Sequence, residues 1–125
     1  MKREKYNGWT NYETWLVNLW MDNDQISQGY FAEMADEALD AATPTGSWTR
    51  EESARFVLAD KLKDHFENEY GGLVGPSGMW SDLLGAALSE VNWDEIASHL
   101  MDEAVERKKE EDKEWKDYAA DKTAE

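Results

Sequence analysis

Apolar residues recur every three or four positions along most of this chain, and no stretch alternates apolar and polar long enough to specify a strand. Five helices are predicted. The first opens at Thr10, whose spacing to Glu13 fits a capping box, and Tyr12, Trp15, Leu16, Leu19 and Trp20 follow at helical intervals. The second runs from Asp24 or Ser27 to Ala41, with Phe31, Met34, Ala35, Ala38 and Ala42 on one face, and Thr43-Pro44-Thr45-Gly46 stops it. Thr49 and Glu52 form another capping box, opening a third helix that turns Ala54, Leu58, Leu62 and His65 inward and ends at Gly71-Gly72. Gly71 to Gly78, with four Gly and one Pro, reads as a loop. A fourth helix carries Trp80, Leu83, Leu84, Ala87, Leu88 and Val91 inward. Asn92 caps a fifth, with Glu95 at its third position and Trp93, Ile96, Ala97, Leu100 and Ala104 on its inner face. Past Arg107 the periodicity fades into alternating charge. The expected fold class is therefore all-α: a compact bundle of about five helices with a polar C-terminal helical extension. Its parts are a basic lead (1–9), a helical domain (10–106) and the extension (107–125).

Charge changes this picture most. Residues 6–106 hold 20 acids against four bases (Arg50, Arg55, Lys61, Lys63), so this body carries −16 of a total −15. The lead contributes +2 over residues 1–5 and the extension −1 over residues 107–125. A small domain is usually soluble with about 2 to 8 net charges, and a larger excess repels itself. The economical explanation is a partner with a large basic surface. Adaptation to high salt fits less well, since Lys outnumbers Arg nine to four and aromatics abound.

The acids also fall in rows. On a helical wheel Glu33, Asp36, Glu37 and Asp40 lie opposite the apolar stripe of the second helix, within an arc of about 100°. Asp60, Asp64 and Glu67 do the same on the third helix, and Glu95, Asp102 and Glu106 on the fifth, with Glu110 beyond. A turn rises about 5.4 Å, so such rows place carboxylates roughly 5 to 6 Å apart, close to the charge spacing along a nucleic-acid strand. A solvated helix face ordinarily mixes signs to gain i,i+4 pairs, as the extension does here. The body forgoes those gains.

Chemistry is sparsely signalled. The chain has two His and no Cys, which excludes disulfides and thiolate zinc sites. His65 reads as a core or boundary residue. Glu95, His99 and Asp102 would be three ligands on one exposed helix without a second element, which does not make a metal site. Asp22-Asn23-Asp24 lacks the glycine and closing Glu of a calcium loop. The glycines before the fourth helix lack a P-loop lysine and sit among acids. No catalytic residue, metal or other cofactor is expected, and the chain does not read as an enzyme. Nothing approaches the roughly 20 apolar residues of a membrane span, Asn7 to Glu13 is polar where a signal peptide needs an apolar run, and an anionic membrane would repel the body. A soluble cytoplasmic protein is expected.

Seven Trp, five Tyr and three Phe argue for folding rather than disorder. Trp15, Trp20, Trp80 and Trp93 sit on apolar faces and are predicted core residues, whereas Trp9, Trp48 and Trp115 lie outside those faces. Trp48 precedes a helix cap and reads as a staple. Phe56 falls among the acids of the third helix, a candidate apolar anchor. Trp115 and Tyr118, one turn apart on the extension, either fold back on the body or anchor a partner, including a second copy in a homodimer.

Asn7-Gly8-Trp9-Thr10-Asn11-Tyr12-Glu13-Thr14-Trp15, with Leu19-Trp20, resembles the N-Y-E-T-W signature of small proteins encoded by bacteriophages, plasmids and other mobile elements. Val91-Asn92-Trp93-Asp94-Glu95-Ile96-Ala97 is similar to their second shared segment. The matches cover about a fifth of the chain and name a lineage rather than a reaction. Very acidic proteins of mobile elements include antirestriction and anti-CRISPR inhibitors that mimic DNA. By that analogy the expected function is to block the nucleic-acid-binding surface of a basic host defence protein in the bacterial cytoplasm, with no direct contact to nucleic acid. A phage protein redirecting host transcription or replication without mimicry, and a structural or oligomeric small protein, are the alternatives.

Overall fold

A computed structural model describes residues 5–123, so the charges at residues 2–4 and at Glu125 lie outside the described residues. Five helices follow in order: α1 (Tyr12–Asp22), α2 (Gln25–Ala41), α3 (Arg50–Val74), α4 (Met79–Ser89) and α5 (Trp93–Thr123). The fold is an all-α bundle. The only β pairing among the described residues is two isolated bridges, Tyr6 with Trp9 and Thr45 with Trp48, each closing a tight turn.

Helices α2, α3 and α5 each pack against the other two, and this triangle encloses the core. Its centre is built from Phe31, Ala35, Ala38 and Leu39 of α2, Ala54, Leu58 and Leu62 of α3, and Ile96, Ala97, Leu100, Met101 and Ala104 of α5. Small residues on α2 and α5 let the backbones approach, while Leu58, Leu62 and Ile96, all fully buried, fill the space between them. Arg50 at the start of α3 donates to the Leu39 carbonyl near the end of α2 (3.0 Å), and the His65 ring meets the Phe31 ring near the other end. These contacts make the two helices antiparallel. Helix α1 crosses the α2–α5 side, burying Met21, and α4 packs on the C-terminal part of α3.

Several boundaries differ from those read in the sequence. Asn11, not Thr10, caps α1: its Oδ1 accepts from the Thr14 N–H at 2.9 Å. Asp24 caps α2, and the Thr49–Glu52 capping box forms at α3 as expected. Gly71-Gly72 do not end α3. Each costs about 1 kcal/mol in a helix interior, but tertiary packing holds the last turns. Tyr70 donates its hydroxyl to the Ser81 carbonyl (2.8 Å) and lies as close to the Ser81 hydroxyl, bolting α3 to α4. Glycine at position 85 eases the approach: a Cβ there would sit 3.2 Å from the Tyr70 hydroxyl, tighter than an ordinary contact, and would push the ring tip back slightly. Helix α3 stops instead at Gly75, in the left-handed region at φ 76°, immediately before Pro76.

The predicted inner face of α4 is largely outside. Trp80 and Leu83 are exposed, and Ser81 is the residue of this helix that is buried, because α4 docks by its small side. Trp20 and Leu19 of α1 are likewise exposed, and Trp15 and Trp93 are half-buried. Trp9, placed outside the apolar faces by its sequence position, packs on the core edge with its ring 4.2 Å from the His99 ring. The domain boundary at 106/107 falls inside α5, which runs unbroken from core to extension. No helix of the described residues is long and apolar enough to cross a membrane.

Candidate functional site

The two signature segments meet in space. Asn11 caps α1 and also donates from Nδ2 to the Glu90 carbonyl (2.6 Å), at the end of α4. Asn92 caps α5 by accepting from the Glu95 N–H (3.1 Å), donates its backbone N–H to the Thr14 hydroxyl (2.9 Å), and donates Nδ2 to the Thr10 hydroxyl (3.2 Å). Glu95 accepts from the Thr10 N–H at 2.9 Å. Thr14, fully buried, completes the circuit by donating to Asn11 Oδ1 (2.6 Å). Two helix starts far apart in sequence thus satisfy each other's orphan polar groups. Thr10, Asn11, Thr14 and Asn92 thus serve the fold, and Glu95 is tied to the Thr10 N–H rather than standing free in an acidic row.

The remaining acidic residues point outward from the triangle. The acids of α2, α3 and α5 lie away from the stripe that each helix buries, and the α2 row is divided. Asp36 receives Arg107 Nη2 at 2.8 Å, and Asp40 receives Lys108 Nζ at 2.9 Å with Arg50 at 3.9 Å. Both acids therefore bind α2 to α5 and α3. The Lys108 hydrogen bond and charge, reinforced by the charge of Arg50, hold the Asp40 carboxyl below the usual aspartate range. Glu33 and Glu37 turn the other way, lining a shallow recess with Tyr30, Met34 and Lys61.

Helix α3 carries the clearest acidic face. Asp60 and Asp64 are exposed, with no ion-pair partner among the described residues, and Glu67 meets Lys63 at 4.0 Å. Phe56 continues the same face one turn earlier. It is part-exposed, takes Trp48 edge-on at 4.9 Å, and has the Arg55 guanidinium 5.0 Å from its ring. Trp48 accordingly reaches past the staple position to Phe56. Asp102 and Glu106 of α5 are exposed, and Glu106 meets Lys109 at 3.5 Å. Of the four body cations, Arg55 pairs with Asp94 at 3.2 Å, and Arg50, Lys63 and Lys61 lie beside the acids already named.

A feature missed in the sequence is a recess of about 350 Å³ between α1, α2 and α3, lined by Leu16, Trp20, Phe31, His65, Phe66 and Glu69. His65, read from the sequence as a core or boundary residue, lies at the boundary in its wall, half-buried, with Nε2 3.9 Å from Glu69. No group of three or more potential metal-ligating side chains gathers among the described residues.

Fold and surface together define a small helical protein with a three-helix core, one bolted helix hairpin and a strongly acidic exterior. Residues 2–123 match a family of unknown function (DUF7249), and the chain belongs to that family. No curated protein and no solved structure matches it.

Proposed function

We propose that this protein is a binding protein without catalytic activity that occupies the basic groove of a nucleic-acid-binding protein, a host defence effector, and excludes DNA or RNA from it. The observation that carries the reading is the outer face of α3, where Phe56 with Trp48 adjoins Asp60, Asp64 and Glu67. Carboxylates at helical spacing stand in for phosphates, steering encounter and selecting a cationic partner, while a central aromatic anchor supplies contact area that is desolvated on binding. Glu33 and Glu37 flank this face on the α2 side. Asp36, Asp40 and Glu95 are occupied within the fold and belong to its stability rather than to the interface.

The test is capture of a bacterial lysate at low salt on the immobilised protein, elution by rising salt, and competition of each eluted protein with labelled duplex. DNA-binding proteins should elute, and each should release its duplex as this protein is added. The variant Asp60→Asn/Asp64→Asn/Glu67→Gln removes three charges while keeping side-chain shape, and should abolish displacement with helicity unchanged. A captured partner that keeps its duplex, or a triple variant that competes as well as the parent, would falsify the mimicry. The exposed apolar side of α4, with Met79, Trp80 and Leu83, favours a second reading in which an apolar partner docks there. That reading demands binding insensitive to salt and lost in Trp80→Ala.

A further inference from the structure

Helix α4 is apolar on two opposite sides. It meets α3 through Ser81 and Gly85, beside the Tyr70 ring. Half a turn round the helix, Met79, Trp80, Leu83, Ala86 and Ala87 form a second stripe centred on Leu83. Met79, Trp80 and Leu83 are 63%, 69% and 55% exposed, and both alanines are exposed as well. A helix that is apolar all round is ordinarily covered all round, and α3 covers one side of this one. The charge of the body is also missing here. Of the 20 acids in residues 6–106, the stretch 70–89 holds one, Asp82, and it holds no base.

We propose that a second copy of this chain covers the stripe, the two α4 helices crossing antiparallel about a twofold axis at Leu83. The second copy is then the apolar partner that the second reading of α4 calls for; the pairing rests on that reading and not on mimicry. In this register Trp80, three residues before Leu83, faces Ala86 of the other copy, three residues after it. Met79, four before, faces Ala87, four after. Large side chains therefore meet small ones at both ends while Leu83 meets itself at the centre, so the stripe is self-complementary, as a twofold interface must be. A parallel pairing would instead set Trp80 on Trp80 and leave alanine facing alanine across a gap.

Charge favours the same partner. Two bodies of −16 repel wherever their acids face each other, and the α4 stripe lets two copies touch over neutral surface. A basic partner would find no row of carboxylates on it. The stripe offers on the order of 500 Å² per copy, so a pair buries about 1,000 Å², at the lower end of specific interfaces. A dissociation constant on the order of 10–100 μM is expected.

Sedimentation velocity on the whole chain, from about tenfold below to tenfold above that constant, should show a monomer–dimer equilibrium. Added salt should tighten it by screening the bodies, opposite to its effect on binding a basic partner. Trp80→Ala should weaken the dimer at least about tenfold with helicity unchanged. Leu83→Glu and Leu83→Lys should each be monomeric, because like charges would meet on the axis, and their equimolar mixture should pair at least about tenfold more tightly than either alone. A monomer throughout the range, a dimer that survives Trp80→Ala, or a mixture no better than its components would each overturn the proposal. So would a monomeric chain that binds a different apolar protein through Trp80, a result that leaves the apolar reading of α4 standing.

Discussion

Replacing Thr14 by Val tests the clamp on which the packing of α1 against α5 depends. Thr14 is fully buried, and its hydroxyl both accepts from the Asn92 backbone N–H at 2.9 Å and donates to Asn11 at 2.6 Å. Valine keeps the shape and removes the oxygen. The Asn92 N–H then loses its acceptor in a part-buried position, which costs about 1–3 kcal/mol, partly offset by the added methyl. A net loss of about 2 kcal/mol is expected. Serine keeps the hydroxyl and loses one methyl, costing about 1 kcal/mol, and alanine loses both, costing about 3 kcal/mol. At this chain length 1 kcal/mol shifts Tm by about 3–5 °C, so the Ser, Val and Ala variants should melt roughly 4, 8 and 12 °C below the parent. Urea unfolding followed by helical circular dichroism measures the same order. If Val proves as stable as the parent, or more stable than Ser, the hydroxyl does not hold the two helix starts together and the clamp is wrong.

Further outcomes follow from the packing and the ion pairs. Leu58→Ala, at a fully buried site in the triangle, should cost about 2–5 kcal/mol in urea unfolding, whereas Leu83→Ala on the exposed side of α4 should cost under about 1 kcal/mol. Gly72→Ala should stabilise by about 0.5–1 kcal/mol, because Gly72 is helical and a Cβ there meets open space, while Gly75→Ala should destabilise by about 1 kcal/mol because its φ of 76° disfavours a side chain. Asp40 is held below its ordinary pKa by Lys108 and Arg50, so its stabilisation is present above the unfolded-state pKa and is lost as pH falls through the folded-state value. The Tm advantage of the parent over Asp40→Asn should accordingly be largest near neutral pH, vanish in the acid range below the usual aspartate pKa, and shrink in high salt.

Much of the fold is written locally. The 3.6-residue periodicity on α2, the start of α3 and α5 locates their inner faces correctly, because these helices are buried along one stripe and polar along the other. The caps at Asp24, Thr49 and Asn92 are legible for the same reason: a side-chain oxygen reaching an orphan N–H two or three residues on is a purely local event. Periodicity fails where an apolar stripe is left outside. Helix α4 shows one through Trp80, Leu83 and Leu84, yet docks through Ser81 and Gly85, because the Tyr70 hydroxyl and backbone proximity decide which side fits against α3. Glycine read as a breaker at positions 71 and 72 fails likewise, since packing over α4 outweighs an intrinsic cost of about 1 kcal/mol per residue.

The acidic rows show the same division. Sequence spacing determines that carboxylates share a face of one helix, and net charge determines that most lack a cation. Whether faces of different helices coincide is a property of their packing. Here the α2 acids divide: Glu33 and Glu37 lie beside Lys61 of α3, while Arg107 and Lys108, assigned by sequence to the extension, reach Asp36 and Asp40 because α5 runs on unbroken. The sequence by itself settled helix content, most inner faces and the charge imbalance, all consequences of neighbours within about four residues. Tertiary structure alone decided the clamp between Thr14 and Asn92, 78 residues apart, and which carboxylates remain free to meet a partner. Those depend on groups that only folding brings within hydrogen-bond range.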